Sequence, residues 1–291
     1  MTRSEIFQAL YRSPEIYRPP LEGKSALLEV TQGCSYGKCA FCDFLRDSFA
    51  ILPLEEIKYK CQLLSQVIDG NDRLFLLGCN PFCLPTEHLL EVMQYVHEYL
   101  PSVQMTAMYA RADDVLRKSG EELAQLRQAG ILELHIGLES GSDAVLKLHN
   151  KGETVADMEA ACQKLAEYRF HYHFTVIPGL GGRKYSQEHA LQTAALLSRL
   201  NPVSIWCLKL VIWENTPLYE TLKQSPELFQ ELTPREVLQE EREMFVHMDI
   251  QKTCLYVDST ILNKYTIMGV LPDSRQAILD RMDHLLASGE E

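Results

Sequence analysis

The chain has 291 residues, a hydrophobic fraction of 46% and a formal net charge of −12, with a pI near 5.3. That length and apolar content support a full core, in one large domain or one domain with an appendage, and the acidic balance argues against broad, charge-driven binding to nucleic acid or anionic membrane. No apolar run of signal length follows Met1 and no stretch reaches the roughly 18 apolar residues of a membrane span; the expected location is the cytoplasm, with the nine cysteines held as reduced thiols or metal ligands.

Residues 1–22 read as an N-terminal extension. Strand-length apolar runs follow at 26–31, 73–77, 104–109, 132–137, 172–177 and 203–210. Helical patterns, with apolar residues at three- and four-residue spacing, lie between them at 54–69, 86–99, 119–129, 154–168 and 186–200. Pro85-Thr86 and Gly152-Glu153-Thr154 supply start signals. Strands alternating with crossover helices predict a parallel α/β sheet, and six such units suggest an incomplete (β/α)6 barrel over 23–215. Such barrels carry ligands on the loops at the carboxyl ends of their strands. In the fourth strand Leu132, Leu134, Ile136 and Leu138 share one face, which leaves Glu133, His135, Gly137 and Glu139 on the other, directed inward. Leu28 and Val30 likewise stand opposite Glu29 and Thr31. Beyond 215 the pattern changes. Glu227 to Met244 is charged and largely helical, Leu255 to Val270 is mixed, and Asp273 or Ser274 caps a last helix to about 287. We take 216–291 as a helical and mixed C-terminal layer covering the barrel mouth.

Cys34, Cys39 and Cys42 form a C-x4-C-x2-C run directly after the first strand. Three thiolates can hold three irons of a four-iron cluster and leave the fourth open to an exogenous ligand. A structural zinc site wants four nitrogen or sulfur ligands, usually as two pairs, and no second C-x2-C or H-x3-5-H pair follows. A non-catalytic iron-sulfur sensor or zinc-stabilised interaction module, with a fourth ligand from Cys79 or Cys83, is the competing class. Otherwise Cys79 and Cys83 read as loop packing, and Cys61, Cys162 and Cys207 as core.

Gly33-Cys34-Ser35-Tyr36-Gly37-Lys38-Cys39-Ala40-Phe41-Cys42-Asp43 resembles the cluster loop of the radical S-adenosylmethionine enzymes, whose commonest spacing is C-x3-C-x2-C; this loop has one residue more. His135-Ile136-Gly137-Leu138-Glu139-Ser140-Gly141-Ser142-Asp143, with Leu146 and Asn150-Lys151-Gly152, resembles the fourth-strand segment of the subgroup that includes oxygen-independent coproporphyrinogen dehydrogenase and the Elongator catalytic subunit. Pro178-Gly179-Leu180-Gly181-Gly182 is similar to the turn after the fifth strand. The likeness spans residues 17–215 and implies a partial TIM-like barrel, a [4Fe-4S] cluster and S-adenosyl-L-methionine as cofactors, oxygen sensitivity, a small-molecule or peptide substrate, and an electron donor such as flavodoxin or ferredoxin. Modification of transfer RNA is an alternative that the relatives suggest and the acidic balance disfavours.

The resemblance also implies site residues. Cys34, Cys39 and Cys42 are the cluster ligands. Phe41 takes the position packed near adenine, with simple loop packing as its plain alternative. Gly78-Cys79-Asn80 stands where the family has a Gly-Gly-Glu segment that binds the methionyl amine through backbone oxygen and a carboxylate; the glutamate is absent, which leaves Gly78 and Asn80 to serve through their backbone carbonyls. Glu139 and Ser140 match the position that contacts ribose or the methionine moiety. Arg111 and Arg183 suit bidentate pairing with the methionine carboxylate. His135 is placed to donate to cofactor or substrate, or to sit as a satisfied core histidine.

Overall fold

The central strand runs carry fully buried side chains: Leu74, Phe75 and Leu76, Ala107 and Met108 and, further on, Leu134 and Ile136. Removing each larger side chain from water contributes about 1.5–3 kcal/mol, and continuous burial on both faces is what a helix-covered parallel sheet demands. The computed structural model describes residues 2–12, 16–43, 47–68, 70–259 and 265–289.

In chain order the elements are α1 (Arg3–Leu10), β1 (Ala26–Glu29), β2 (Thr31–Gln32), β3 (Ala50–Ile51), α2 (Leu54–Leu64), β4 (Arg73–Leu77), α3 (Thr86–Tyr99), β5 (Met105–Ala110), α4 (Ala112–Arg117), α5 (Gly120–Gln128), β6 (Ile131–Glu139), α6 (Asp143–Leu148), α7 (Val155–Glu167), β7 (His171–Val176), α8 (Gly182–Leu200), β8 (Ser204–Cys207), α9 (Pro217–Gln224), α10 (Pro234–His247), β9 (Cys254–Asp258), β10 (Ile267–Leu271) and α11 (Arg275–Ser288). Short 3-10 turns at Pro20–Glu22 and Pro81–Cys83 precede β1 and follow β4. The six predicted strands are β1, β4, β5, β6, β7 and β8. The 203–210 run is strand only as far as Cys207, and the 54–69 helix stops at Leu64; residue 69 lies outside the described set, as do 260–264 of the mixed stretch.

The chain divides into two bodies, one holding 1–37, 44–136 and 160–171, the other 38–43, 137–159 and 172–291. In the first, the strand order is β1-β4-β5-β6, all parallel, with Leu27 opposite Phe75, Phe75 opposite Ala107 and Tyr109 opposite His135. Partners in register face the same way, so Leu27, Phe75, Leu77 and Ala107 form one apolar cluster, joined by Tyr11 and Tyr109. The small sheet β2-β3 closes a hairpin beside it. Ser119 opens α5 with a reciprocal capping box to Glu122, a device that contributes about 1 kcal/mol.

In the second body the order continues β6-β7-β8-β9-β10, with β8 parallel to both β7 and β9 and β10 antiparallel to β9. Among the described residues the sheet order counts eight strands: residues beyond 215 add two to its edge, where the sequence pattern showed only a mixed stretch. Helix α10 packs on α8, and α11 on β10. Ser274 does stand at the N-cap of α11, but its hydroxyl accepts the Val270 N–H at 3.1 Å in place of a helical amide.

Candidate functional site

The loops at the carboxyl ends of the strands carry most of the expected site residues. In the first body, Gly33 has φ +65° and packs its backbone against Asp47 and Ser48, which turns the chain out of β2 into the cysteine run. Cys34 is half-buried and free. After β4, Gly78 has φ +146°, and a Cβ there would lie 1.9 Å from Thr31 Oγ1; glycine is required for Thr31 to reach this point. Thr31 Oγ1 is buried without a hydrogen-bond partner. Two residues on, the fully buried Asn80 donates through Nδ2 to Ser35 Oγ at 2.8 Å and to Asp114 Oδ2 at 2.5 Å. A carboxylate only accepts, so the amide nitrogen must face Asp114. Asn80 Oδ1 then points away, buried and unmet.

Arg111, which follows β5, is held between the Tyr36 ring, 4.1 Å from its guanidinium carbon, and Asp113 Oδ1 at 3.1 Å. Its plane is thereby fixed beside the cysteine run. Cys83 lies close to Ser35 and Cys34, and burial pushes its thiol up to about 11. Cys79 is half-buried on the same loop.

His135 faces inward as the period-two pattern requires, but its Nε2 stands 2.9 Å from the buried Glu22 Oε1. Glu22 also pairs with Arg73, and Arg73 with Glu133 at 2.5 Å. Phe75 and Tyr109 pack edge-on against the imidazole. Glu22 is on the turn before β1 and Arg73 opens β4, so this network belongs to the amino ends of the strands. Glu29, also inward in the pattern, is paired with Lys60 Nζ at 2.5 Å and receives the Arg12 N–H.

In the second body, Cys39 is buried and Cys42 half-buried, in a turn where the Cys42 N–H reaches Cys39 O at 3.3 Å. The Ala40 N–H donates to His149 O at 2.8 Å, and Ala40 O accepts the Leu218 N–H at 2.9 Å. Phe41 meets the His149 ring edge-on, with centroids 5.7 Å apart, and packs on Val145, Ile177 and Leu180. Burial lowers the His149 pKa to about 4, so the neutral ring donates from Nε2 to Leu180 O at 2.6 Å. The wall behind Phe41 is thus rigid and uncharged.

Glu139 ends β6 in the left-handed region, φ +60°, a conformation that costs a non-glycine residue about 1–3 kcal/mol and concentrates at functional sites. Its Oε1 accepts from Lys151 Nζ at 3.1 Å while Oε2 is buried without a hydrogen-bond partner. A Cβ on Gly137 would fall 2.1 Å from Glu139 Oε1, so that glycine makes room for the pair. The Ser140 hydroxyl is engaged by the Ser142 N–H at 3.0 Å and His189 Nδ1 at 2.7 Å. Arg183, in the first turn of α8, pairs with Glu236 of α10 on the rim of a surface groove of about 420 Å³ that also takes in Leu232, Glu240 and Glu243.

Pattern reading missed Tyr36, Lys151, His189 and Glu240, and gave Thr31 a face of the first strand but no role. Lys151 had a signal, since it stands in the quoted Asn-Lys-Gly segment, and Tyr36 lies inside the cysteine run. Nothing local marked His189 or Glu240. Cys61, Cys162 and Cys207 are buried. His171 is largely exposed near Glu133, whereas His173 is buried against Ser204 Oγ at 2.8 Å. Among the described residues no three His, Cys, Asp or Glu side chains converge as ligands of one metal ion, and no helix is long and apolar enough to cross a membrane.

A family model described as the Radical SAM superfamily matches residues 28–197. An anaerobic magnesium-protoporphyrin IX monomethyl ester cyclase of Cereibacter sphaeroides is 26% identical over 223 residues, 72% of this chain and 34% of that protein. A tRNA-2-methylthio-N(6)-dimethylallyladenosine synthase of Methylococcus capsulatus is 26% identical over 176 residues, 56% of this chain and 37% of that protein. The chain thus spans about a third of the length of these curated relatives. The solved structure of archaeal Methanocaldococcus infernus Elp3 aligns over 92% of this chain and 64% of its own, with a TM-score of 0.57 at 14% identity; at that identity the likeness shows the fold.

Proposed function

The chain belongs to the radical SAM superfamily, and from that premise we propose that it reductively cleaves S-adenosyl-L-methionine and abstracts hydrogen from a small-molecule or peptide substrate. Members of the superfamily are enzymes that use a [4Fe-4S] cluster and S-adenosyl-L-methionine, so this chain is an enzyme with those cofactors. When bound, they supply one-electron cleavage of a sulfonium carbon–sulfur bond to give methionine and a 5′-deoxyadenosyl radical. The chain spans about a third of the curated relatives, so substrate and partners are proposals throughout.

Cys34, Cys39 and Cys42 are the residues that would hold three irons of the cluster, and the fourth iron would remain for S-adenosyl-L-methionine. The observation that carries the reading is Asn80: its amide is oriented by Ser35 of the cysteine run and by Asp114, and its oxygen is buried and unmet. An unsatisfied buried acceptor costs about 1–3 kcal/mol, which a donor such as the methionyl ammonium would recover. Thr31 Oγ1, beside Gly78, offers a second acceptor. Asn80 thereby takes over the office of the missing glutamate, with neutral hydrogen bonding in place of charge.

Arg111, buried and stacked on Tyr36 of the cysteine run, is the arginine we assign to the methionine carboxylate in preference to Arg183, which is exposed and paired with Glu236. Glu139 Oε2 is the free acceptor for ribose hydroxyls, and Phe41 is the apolar surface for adenine. His135 is committed to Glu22, and we assign it to the fold in preference to the cofactor. A flavodoxin- or ferredoxin-type donor in a reducing compartment, the cytoplasm, would supply the electron.

The test is anaerobic reconstitution with iron and sulfide, then dithionite, then chromatography for 5′-deoxyadenosine. The wild type should release the nucleoside, and C34A, C39A and C42A should each lose iron and product together. A fully loaded wild-type cluster that yields no nucleoside would overturn the reading, and stoichiometric zinc in its place would favour the non-catalytic module.

A further inference from the structure

Behind the Glu139 turn runs a line of buried polar side chains, Ser140, His189 and Glu240, which are 1%, 1% and 4% exposed; of these only Ser140 stands among the residues that the resemblance implies for the cofactor. Ser140 Oγ is 2.7 Å from His189 Nδ1, and His189 Nε2 is 3.7 Å from Glu240 Oε1. The same Glu240 oxygen accepts the Gly179 N–H at 2.6 Å. Glu240 sits on α10 and His189 on α8, so residues from beyond 215 reach the end of β6 in two steps.

We propose that Glu240 and His189 are positioning residues: they set the direction of the Ser140 hydroxyl and hold the Gly179 amide, and so keep the Glu139 carboxylate at the angle from which it meets S-adenosyl-L-methionine. This rests on the assignment of Glu139 to the cofactor given above.

The hydrogen-bond inventory gives the line one direction. The Ser142 N–H, 3.0 Å away, takes one lone pair of Ser140 Oγ, which leaves the hydroxyl hydrogen available to His189 Nδ1. A neutral imidazole then carries its hydrogen on Nε2, the atom facing Glu240. At 3.7 Å the Glu240 carboxylate acts on Nε2 through its charge and makes no hydrogen bond with it; that charge favours the tautomer in which Nδ1 accepts from Ser140. Two further bonds clamp the same turn: the Gly141 N–H donates to Thr193 Oγ1 at 2.8 Å, and the Ile177 N–H to Glu139 O at 3.0 Å. A left-handed glutamate persists only where its surroundings over-determine it, and these contacts are what does so.

Around Glu240 the charged groups are Arg183 and His189 on α8 and Glu236 and Glu243 on its own helix, with Arg183 spent on Glu236. Helix α11 meets α10 through Asp283 and Arg242. No free cation offsets the burial of Glu240 among these groups, and burial lifts its pKa to about 7 while lowering that of His189 to about 4. The glutamate end therefore titrates near neutrality while the histidine stays uncharged.

The experiment is equilibrium dialysis of labelled S-adenosyl-L-methionine against the cluster-loaded full chain between pH 6 and 8.5, with iron content and Tm measured alongside. Wild-type affinity should change with a midpoint near 7. Glu240→Gln should keep its iron, bind about tenfold more weakly and lose that midpoint; His189→Asn, which keeps an acceptor for Ser140 but not the link to Glu240, should lose the midpoint too. Glu243→Gln should match the wild type. If Glu240→Gln does not fold, Glu240→Asp is measured instead, with the midpoint retained and the affinity reduced. Wild-type affinity and pH profile in both Glu240→Gln and His189→Asn would overturn the inference alone. A loaded wild type that binds no S-adenosyl-L-methionine would instead overturn the Glu139 assignment, and the inference with it.

Discussion

Replacing Glu22 by glutamine should destabilise the fold by about 3 kcal/mol at neutral pH, and the effect should fade on acidification. Glu22 is fully buried, and burial by itself pushes its pKa up. Hydrogen bonds from His135, Arg73 and Ser25, together with the charge of Arg73, outweigh that push and bring it from 4.5 to about 2. One pKa unit is about 1.4 kcal/mol, so the depression corresponds to about 3 kcal/mol of folding free energy. A depressed folded pKa gives stability that is complete above the unfolded value, near 4.5, and lost as the pH falls through the folded value, near 2. Glutamine preserves shape and one acceptor but not the charge. Arg73 keeps Glu133 at 2.5 Å, so the cost stays at the lower end of the roughly 3–5 kcal/mol typical of a broken buried pair. Urea unfolding of both proteins at pH 7 and pH 3 checks this, read at equal m-values. The gap should be about 3 kcal/mol at pH 7 and about half of that at pH 3. A gap below about 1 kcal/mol at pH 7, or one equal at both values, would refute the ion-pair reasoning.

Gly78→Ala combines φ +146° with a Cβ placed 1.9 Å from Thr31 Oγ1; it should lower stability by about 2 kcal/mol or more, seen in thermal unfolding, and weaken S-adenosyl-L-methionine binding in dialysis. Lys151→Met removes the ammonium 3.1 Å from Glu139 and 3.6 Å from Glu153. With two buried carboxylates left without it, Tm should fall by about 6 °C or more by calorimetry, and an unchanged Tm would mean that the lysine does not neutralise them. Glu241 is fully buried, and burial together with Asp258 raises its pKa well above the ordinary carboxyl range. That shift favours its neutral form, and Glu241→Gln, nearly isosteric with the acid, should shift the urea midpoint by the equivalent of about 1 kcal/mol or less; a loss above about 3 kcal/mol would show a buried anion there instead.

The parts of this chain governed by short-range periodicity were readable in advance. The six core strands follow apolar runs, and α3, α5 and α7 begin and end within a residue or two of their predicted bounds. The cysteine run and the loops after β4 and β6 were singled out through their likeness to segments of a known family. Long-range pairing was not. His135 finds Glu22 across 113 residues, and nothing near either one in sequence signals the other, so an inward histidine that looked available to a ligand proves to be held by the fold. β9 and β10 were missed because their alternation is weak: Met268 and Val270 are exposed on an edge strand that a pattern search expects to be polar. Glu240 and Glu241 lay in what read as a charged, largely helical run, and their burial was hidden there because tertiary packing and not composition decides it.

Those two neighbouring acids have a bearing on how α10 is seated. Successive residues on a helix are about 100° apart, and here one carboxyl takes the Gly179 amide beside α8 while the next receives the Tyr256 hydroxyl from β9 at 2.6 Å. A helix buried by leucines alone could roll by one position and lose little. α10 has a single azimuth, because any roll would strand both carboxyls in a dry interior, and the segment is keyed to its slot as a notched shaft is.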